Sequence, residues 1–434
     1  MAVPVDYEKI VPSQSFSLFI LRHPASSTAG RLGSLVVNPG GPGGSGVDYA
    51  FNWESIISSA VSDRYDIVGF DQRGIGQSEP IRCLNDAQED QVLSSDGKVT
   101  GESSLKSAIA SAQDFAAKCA KVAGSRLGHY STLDGAQDMD LLRGLLGETK
   151  LNYMGKSYGT YLGTLYANLF PTHVGKMILD GAIDPQEPLL NQNIYQAKGF
   201  ELALTSFLKA HPTITQKQII SALDLLQSST ITSGKRKMTQ ALAITGIASG
   251  LYDPEVGWPK LSTALTELIN QHSATSLLAM ADLYNNRDSN GHFVNNQNDL
   301  QVMISCLDFS DSRSVQEMLA DQPLFTKAAP TFGPYLGFAG LTCKYWHAPP
   351  SVTTNFANLT LVPPILVIGV TRDPATPYLW AQALHRDFTQ SALLTFIGDG
   401  HTGHNRGSAC IDSKVDIYLI TGVVPTGQVN CKAA

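Results

Sequence analysis

No stretch of this sequence approaches the roughly 20 consecutive apolar residues needed to cross a bilayer. The first 30 residues also lack the basic start and long apolar segment of a secretion signal, so the chain as given is expected to be soluble, any such signal having been removed or never present. Positive charge is scarce: 31 Lys and Arg against 38 Asp and Glu give a formal charge of -7, and the densest basic cluster is GKRKM at 234–238. Without a basic stripe to neutralise phosphates, no nucleic-acid partner is expected. The six cysteines, Cys83, Cys119, Cys306, Cys343, Cys410 and Cys431, contain no C-x-x-C spacing, so neither a thiolate metal site nor a redox motif is expected. An even count suits three disulfides or, equally, six buried thiols, and six cysteines can pair fully in about 15 ways. There is no internal repeat and no Pro-rich linker.

What the chain does have is the composition of a folded globular protein, 43% hydrophobic and 16% charged over 434 residues, room for one large core with an insertion or for two ordinary domains. Short apolar, β-branched runs recur: FSLFILR (16–22), GSLVVNP (33–39), YDIVGFD (65–71), LNYMG (151–155), KMILDG (176–181), PILVIGV (364–370) and LLTFIG (393–398). Runs apolar on both faces, separated by helical stretches, predict an α/β core around a mostly parallel sheet covered on each side. Between about 186 and 345 the apolar spacing becomes helical and the strand runs stop. The expected organisation is therefore a first core segment 1–185, a helical cap 186–345 and a second core segment 346–434, with SSTITSGKRK and NNRDSNGHFVNNQND as exposed loops within the cap. One glycosylation triplet, Asn358-Leu359-Thr360, is present.

The chemistry centres on GKSYG at 155–159. Gly-x-Ser-x-Gly between a strand and a helix places the serine on a tight turn, with Oγ standing clear of the sheet at a helix N-terminus. A serine hydroxyl needs a base, and the base an orienting acid, in the chain order serine, acid, histidine. Asp373, just beyond the run PILVIGV, and His401, just beyond LLTFIG, meet that order and leave the sheet at the same carboxyl edge as Ser157. Asp399 and His404 are the local rivals; His401 is preferred because it follows the strand and Gly400 directly. An oxyanion hole needs two backbone N–H groups, expected from Tyr158, after the nucleophile, and from the glycine loop NPGGPGGSG at 38–46. That loop is not a phosphate cradle, since no G-K-S/T follows it.

Together NPGGPGGSG, FDQRGIGQS, GKSYGTYLG, LDGAIDP, TRDPATPY and the ending GHTGHNRGSACIDSKVDIYLITGVVPTGQVNC resemble the tripeptidyl-aminopeptidase-like branch of the proline iminopeptidase group of α/β-hydrolases. The resemblance covers both core segments and is weak across the cap. It implies an α/β-hydrolase fold with a large helical cap insertion; Ser157 as nucleophile, Asp373 as acid and His401 as base; and the N–H groups of Gly41 and Tyr158 as the oxyanion hole. It implies that Asp71, Arg73, Gly74 and Gly76 brace the oxyanion loop, and that the cysteines pair in order, Cys83 with Cys119, Cys306 with Cys343 and Cys410 with Cys431. It also implies that VPVDYEKI begins the mature domain of a secreted enzyme. Two departures stand out: Asn38 occupies the position of the usual histidine opening the glycine loop, and GDGHTGH carries two histidines where one is customary. Lys156, before the serine, is given no chemical role beyond a contact behind the site.

These expectations describe a serine hydrolase that cleaves acyl bonds of a peptide or small acyl substrate without metal or organic cofactor. An exo-acting aminopeptidase releasing short N-terminal fragments is favoured over an esterase, lactonase or small-amide hydrolase, and over a binding protein with a vestigial site. An aminopeptidase needs a carboxylate for the substrate ammonium; Asp184 and Glu187 at the cap entry and Asp308 and Asp311 near its exit are the candidates.

Overall fold

The computed structural model describes residues 1–95, 98–309, 311–351 and 355–433. Its centre is an eight-stranded sheet: β1 (Ile20–His23), β2 (Gly33–Asn38), β3 (Tyr65–Phe70), β4 (Leu151–Lys156), β5 (Val174–Asp180), β6 (Leu366–Arg372), β7 (Ala392–Asp399) and β8 (Val429–Lys432). The spatial order is β8-β7-β6-β5-β4-β2-β3-β1, and every pairing is parallel except that of β1 with β3. Adjacent residues of a strand serve opposite faces. In β2, Val36 joins one apolar cluster with Val68, Tyr153 and Leu179, whereas Leu35 and Val37 join another with Ile67, Met154 and Ile178. Both faces being covered, the strands read as unbroken apolar runs rather than alternating ones.

The run at 16–22 is two elements. Ser15–Ser17 pairs antiparallel with Ala2–Pro4 in a separate small sheet, and only Ile20–His23 enters the main one. Edge strand β8 was not expected from the sequence: only Cys431 of VNCK is buried, so no apolar run announces it.

Six helices matter for the site: α1 (Thr132–Leu145), α2 (Tyr158–Leu169), α3 (Leu189–Ala210), α4 (Gln240–Leu251), α5 (Gly257–Gln271) and α6 (Thr275–Tyr284). Residues of α3 to α6, among them Phe207, Leu242, Leu261 and Leu277, form an apolar cluster of their own that takes in Ala375 from beyond β6. The next long helix, α7 (Gln297–Asp308), buries Leu300, Met303, Ile304 and Leu307 in the cluster of the sheet instead. The run at 231–238 contains a short hairpin, Thr232–Ser233 with Arg236–Lys237, and Arg236 is not a solvated cation: it is paired with Asp90 (2.8 Å) and Asp282. The cysteines are bonded as expected, Cys83–Cys119, Cys306–Cys343 and Cys410–Cys431. Among the described residues no helix is long and apolar enough to cross a membrane.

Candidate active site

The carboxyl ends of β4, β6 and β7 bring the expected residues to one edge. Ser157 follows β4 with φ 55° and ψ −125°, a left-handed elbow that a non-glycine residue adopts only when its surroundings hold it there. It sits at the N-cap of α2, yet its side chain makes no capping bond, which leaves the hydroxyl available. The elbow is packed to the limit. A side chain at Gly159 would lie 2.8 Å from Asn38 Oδ1, and one at Gly40 (φ 98°) 2.5 Å from the Lys156 carbonyl and 2.9 Å from Ser157 Cβ. Only glycine lets the two turns approach so closely.

That approach sets the glycine loop against the start of α2. Asn38 Oδ1 accepts from the Gly40 N–H at 2.9 Å, fixing the turn from within, and so takes over the opening of a loop where a histidine is customary. Among the described residues the N–H groups of Gly41 and Tyr158 donate to no protein acceptor. Asp71 braces the loop: it accepts from Ser45 Oγ (2.6 Å) and Val47 N (3.2 Å), and its other oxygen takes Gln77 N (2.9 Å). Arg73 does not share that task. Its guanidinium turns away to Asp138 (2.7 and 2.8 Å), Asp134 (3.1 Å) and the carbonyls of Pro4 and Val5 (2.8 Å each), so it fastens the first residues of the chain to α1.

His401 donates from Nδ1 to Asp373, 2.9 Å from Oδ1 and 3.1 Å from Oδ2. Asp373 is 1% exposed and also accepts the N–H groups of Ala375 (2.9 Å), Thr376 (2.8 Å) and Thr402 (3.2 Å). These backbone donors fix the carboxylate in place, and it in turn orients the imidazole through Nδ1, leaving Nε2 on the side of the ring away from it. The ring lies beside the elbow: the Ser157 N–H donates to the Asp180 carbonyl at 2.8 Å, and a side chain on the next residue, Gly181, would be 3.4 Å from His401 Cε1.

The rivals are committed elsewhere. Asp399 forms a two-point ion pair with Arg372 (2.6 and 2.7 Å). His404 is 1% exposed, its Nδ1 has no partner among the described residues, and burial with the nearby Lys156 cation pushes its pKa down to about 3. It is a neutral buried ring with no carboxylate on Nδ1.

Two contributors lie outside the expected site residues. Tyr252, after α4, accepts the His401 N–H on its carbonyl (2.8 Å) and sets its ring edge-on to the imidazole, centroids 5.1 Å apart; nothing short of the fold links residue 252 to residue 401. Asp180 lies in the motif LDGAIDP, whose pattern alone gives it no role. Of the candidate amine ligands, Asp311 is paired with Arg313 (2.6 Å). Asp308 is buried against Thr132, accepting from its N–H (2.8 Å) and hydroxyl (2.5 Å), and burial raises its pKa to about 7. Asp184 accepts from Gln186 N (2.9 Å) and Glu187 from Asn191 Nδ2 (2.7 Å).

Residues 329–431 match the family model described as TAP-like protein. The chain is 34% identical over 455 aligned residues to the serine protease Hip1 of Mycobacterium tuberculosis, covering 99% of this chain and 86% of that protein. It is 34% identical to carboxylesterase B of the same species, covering 99% and 85%, and 28% identical to the tripeptidyl aminopeptidase of Streptomyces coelicolor, covering 99% and 82%. With these relatives matched along 99% of the chain and a mostly parallel, helix-flanked sheet at its centre, the chain belongs to the tripeptidyl-aminopeptidase-like family of α/β-hydrolases and is a serine hydrolase.

Proposed function

We propose that the protein is an aminopeptidase that releases short N-terminal fragments from peptides through an acyl-enzyme on Ser157. The observation that supports acyl-enzyme chemistry is the Asp373–His401 hydrogen bond at 2.9 Å near a strained, uncapped Ser157, and the likeness to a serine protease and a tripeptidyl aminopeptidase favours a peptide as its substrate. His401 Nε2 takes the Ser157 proton as Oγ attacks the scissile carbonyl; the Gly41 and Tyr158 N–H groups receive the oxyanion; His401 then gives the proton to the leaving amine, and water repeats the sequence in reverse. Every proton and electron pair in this cycle is handled by the chain's own groups, so no cofactor is called for.

Residues 186–345 serve as the cap over this edge, and the substrate ammonium is bound there. The three disulfides suit an oxidising compartment, and the protein acts outside the cytoplasm. A second reading, ester hydrolysis on the same residues, is favoured by the 34% identity to carboxylesterase B. Peptide anilides with free and acetylated N-termini, assayed beside p-nitrophenyl esters, separate the two. N-acetylation is expected to lower kcat/KM at least about tenfold, the effect of about 1.4 kcal/mol in the transition state; equal rates on both series, or activity on esters alone, would replace the aminopeptidase by the esterase.

A further inference from the structure

Behind the elbow lies a pair of charges that the reaction does not use. Asp180, at the end of β5, is fully buried and accepts the N–H groups of Gly403 (2.7 Å) and His404 (3.0 Å), the second and third residues after His401. Lys156, the residue before Ser157, keeps only 13% side-chain exposure; its Nζ donates to the His404 carbonyl at 2.9 Å and lies 3.9 Å from Asp180 Oδ2. The backbone of Asp180 completes the loop of contacts by accepting the Ser157 N–H at 2.8 Å. Five contacts therefore tie together three segments distant in sequence, those carrying Ser157, Asp180 and His401.

We infer that Lys156 and Asp180 form an ionic clamp that holds the Ser157 elbow and the His401 loop in register, making both positioning residues for the reaction. The alternative for these groups, a buried pair that merely fills space, accounts poorly for their direction: each is aimed at backbone of the histidine loop, and no apolar side chain could bond a carbonyl and two N–H groups there. The loop has reason to need holding, since Thr402 and Asn405 both have positive φ, 67° and 59°. A clamp of this kind acts on the approach of Oγ to Nε2, and misplacement by about 1 Å is enough to cost on the order of a hundredfold in rate.

This inference rests on Ser157 and His401 as nucleophile and base, and a fluorophosphonate probe tests the two ideas separately. Labelling of the wild-type protein that is lost in Ser157→Ala sustains that assignment; an unlabelled wild type removes it. Given labelling, folded Lys156→Met and Lys156→Gln, made in parallel, are expected to label with a maximal rate at least about fivefold lower, while the half-saturating probe concentration changes less than about twofold. Glutamine keeps a donor for the His404 carbonyl without the charge, so the test survives if methionine prevents folding. Lys156→Arg, which restores the cation, is expected to recover most of the loss. A purely structural role would lower the thermal midpoint and leave the maximal labelling rate of the folded protein untouched. A fall in that rate below fivefold, or one that arginine does not reverse, overturns the clamp.

Discussion

At the scale of single residues, two histidines three positions apart are put to opposite uses by their neighbours. His401 has the carboxylate of Asp373, whereas the buried Nδ1 of His404 has no partner among the described residues. Ser157→Ala and His401→Ala are each expected to remove turnover by several orders of magnitude with little change in the fold, while His404→Gln keeps activity within about tenfold, a ratio read from kcat/KM on one substrate. An inactive His404→Gln beside a nearly normal His401→Ala would reverse the assignment. His404 also carries a pH signature. Its folded pKa is pushed down to about 3, below the 6.5 of an unperturbed histidine. Its contribution to stability is thus fully present above pH 6.5 and is lost as pH falls toward 3, because only the unfolded chain takes up the proton. Between pH 7 and 5 that amounts to about 2 kcal/mol. Asp308 and Glu89, whose pKa values burial raises to about 7, act in the opposite sense, losing stability as pH rises through that value. Urea unfolding of wild type and His404→Gln at both pH values isolates the histidine: the variant's loss on acidification is expected to be smaller by about 2 kcal/mol.

At the scale of elements, α3 and the loop that carries Asp373 touch closely along their backbones. A side chain at Gly199 in α3 would lie 2.6 Å from the Pro374 carbonyl and 2.9 Å from that of Asp373. Gly199→Val is expected to displace that loop and lower kcat/KM at least about tenfold with an unchanged far-UV spectrum; full activity would mean that α3 can yield without moving Asp373. Much of this architecture is legible in the amino-acid sequence. Strands buried on both faces announce themselves as apolar runs, and the elbow and glycine loop are local because each is built within a single turn. What the sequence hides is whatever depends on distant segments meeting. Tyr252 reaches His401 only through the packing of α3 to α6, the direction in which Arg73 turns is set by where the first residues of the chain lie, and β8 is too short and too polar to have a pattern of its own.

At the scale of the whole molecule, the sheet ends on one side in a four-residue strand. β8 pairs with β7 from Leu394–Val429 to Ile397–Lys432, with Cys431 at its middle bonded to Cys410 at the start of the following-loop helix Ala409–Thr421. Ser408 Oγ adds one bond to the Lys432 carbonyl, 2.7 Å. The ring that the disulfide closes, with a sequence separation of 21, is worth about 3 kcal/mol in the loop-entropy account. Its larger effect is on how molecules of this protein treat one another. With β8 released, β7 becomes the outermost strand and offers ALLTFIGD, a run without proline and with a single charge at its end, to any chain that can pair with it. Cys410→Ser and Cys431→Ser together are therefore expected to produce concentration-dependent light scattering well below the unfolding midpoint, where the wild type is expected to stay clear; a double variant that also stays clear while losing only stability would show that β8 holds its place without the bond. The third disulfide is, on this account, a guard against self-association.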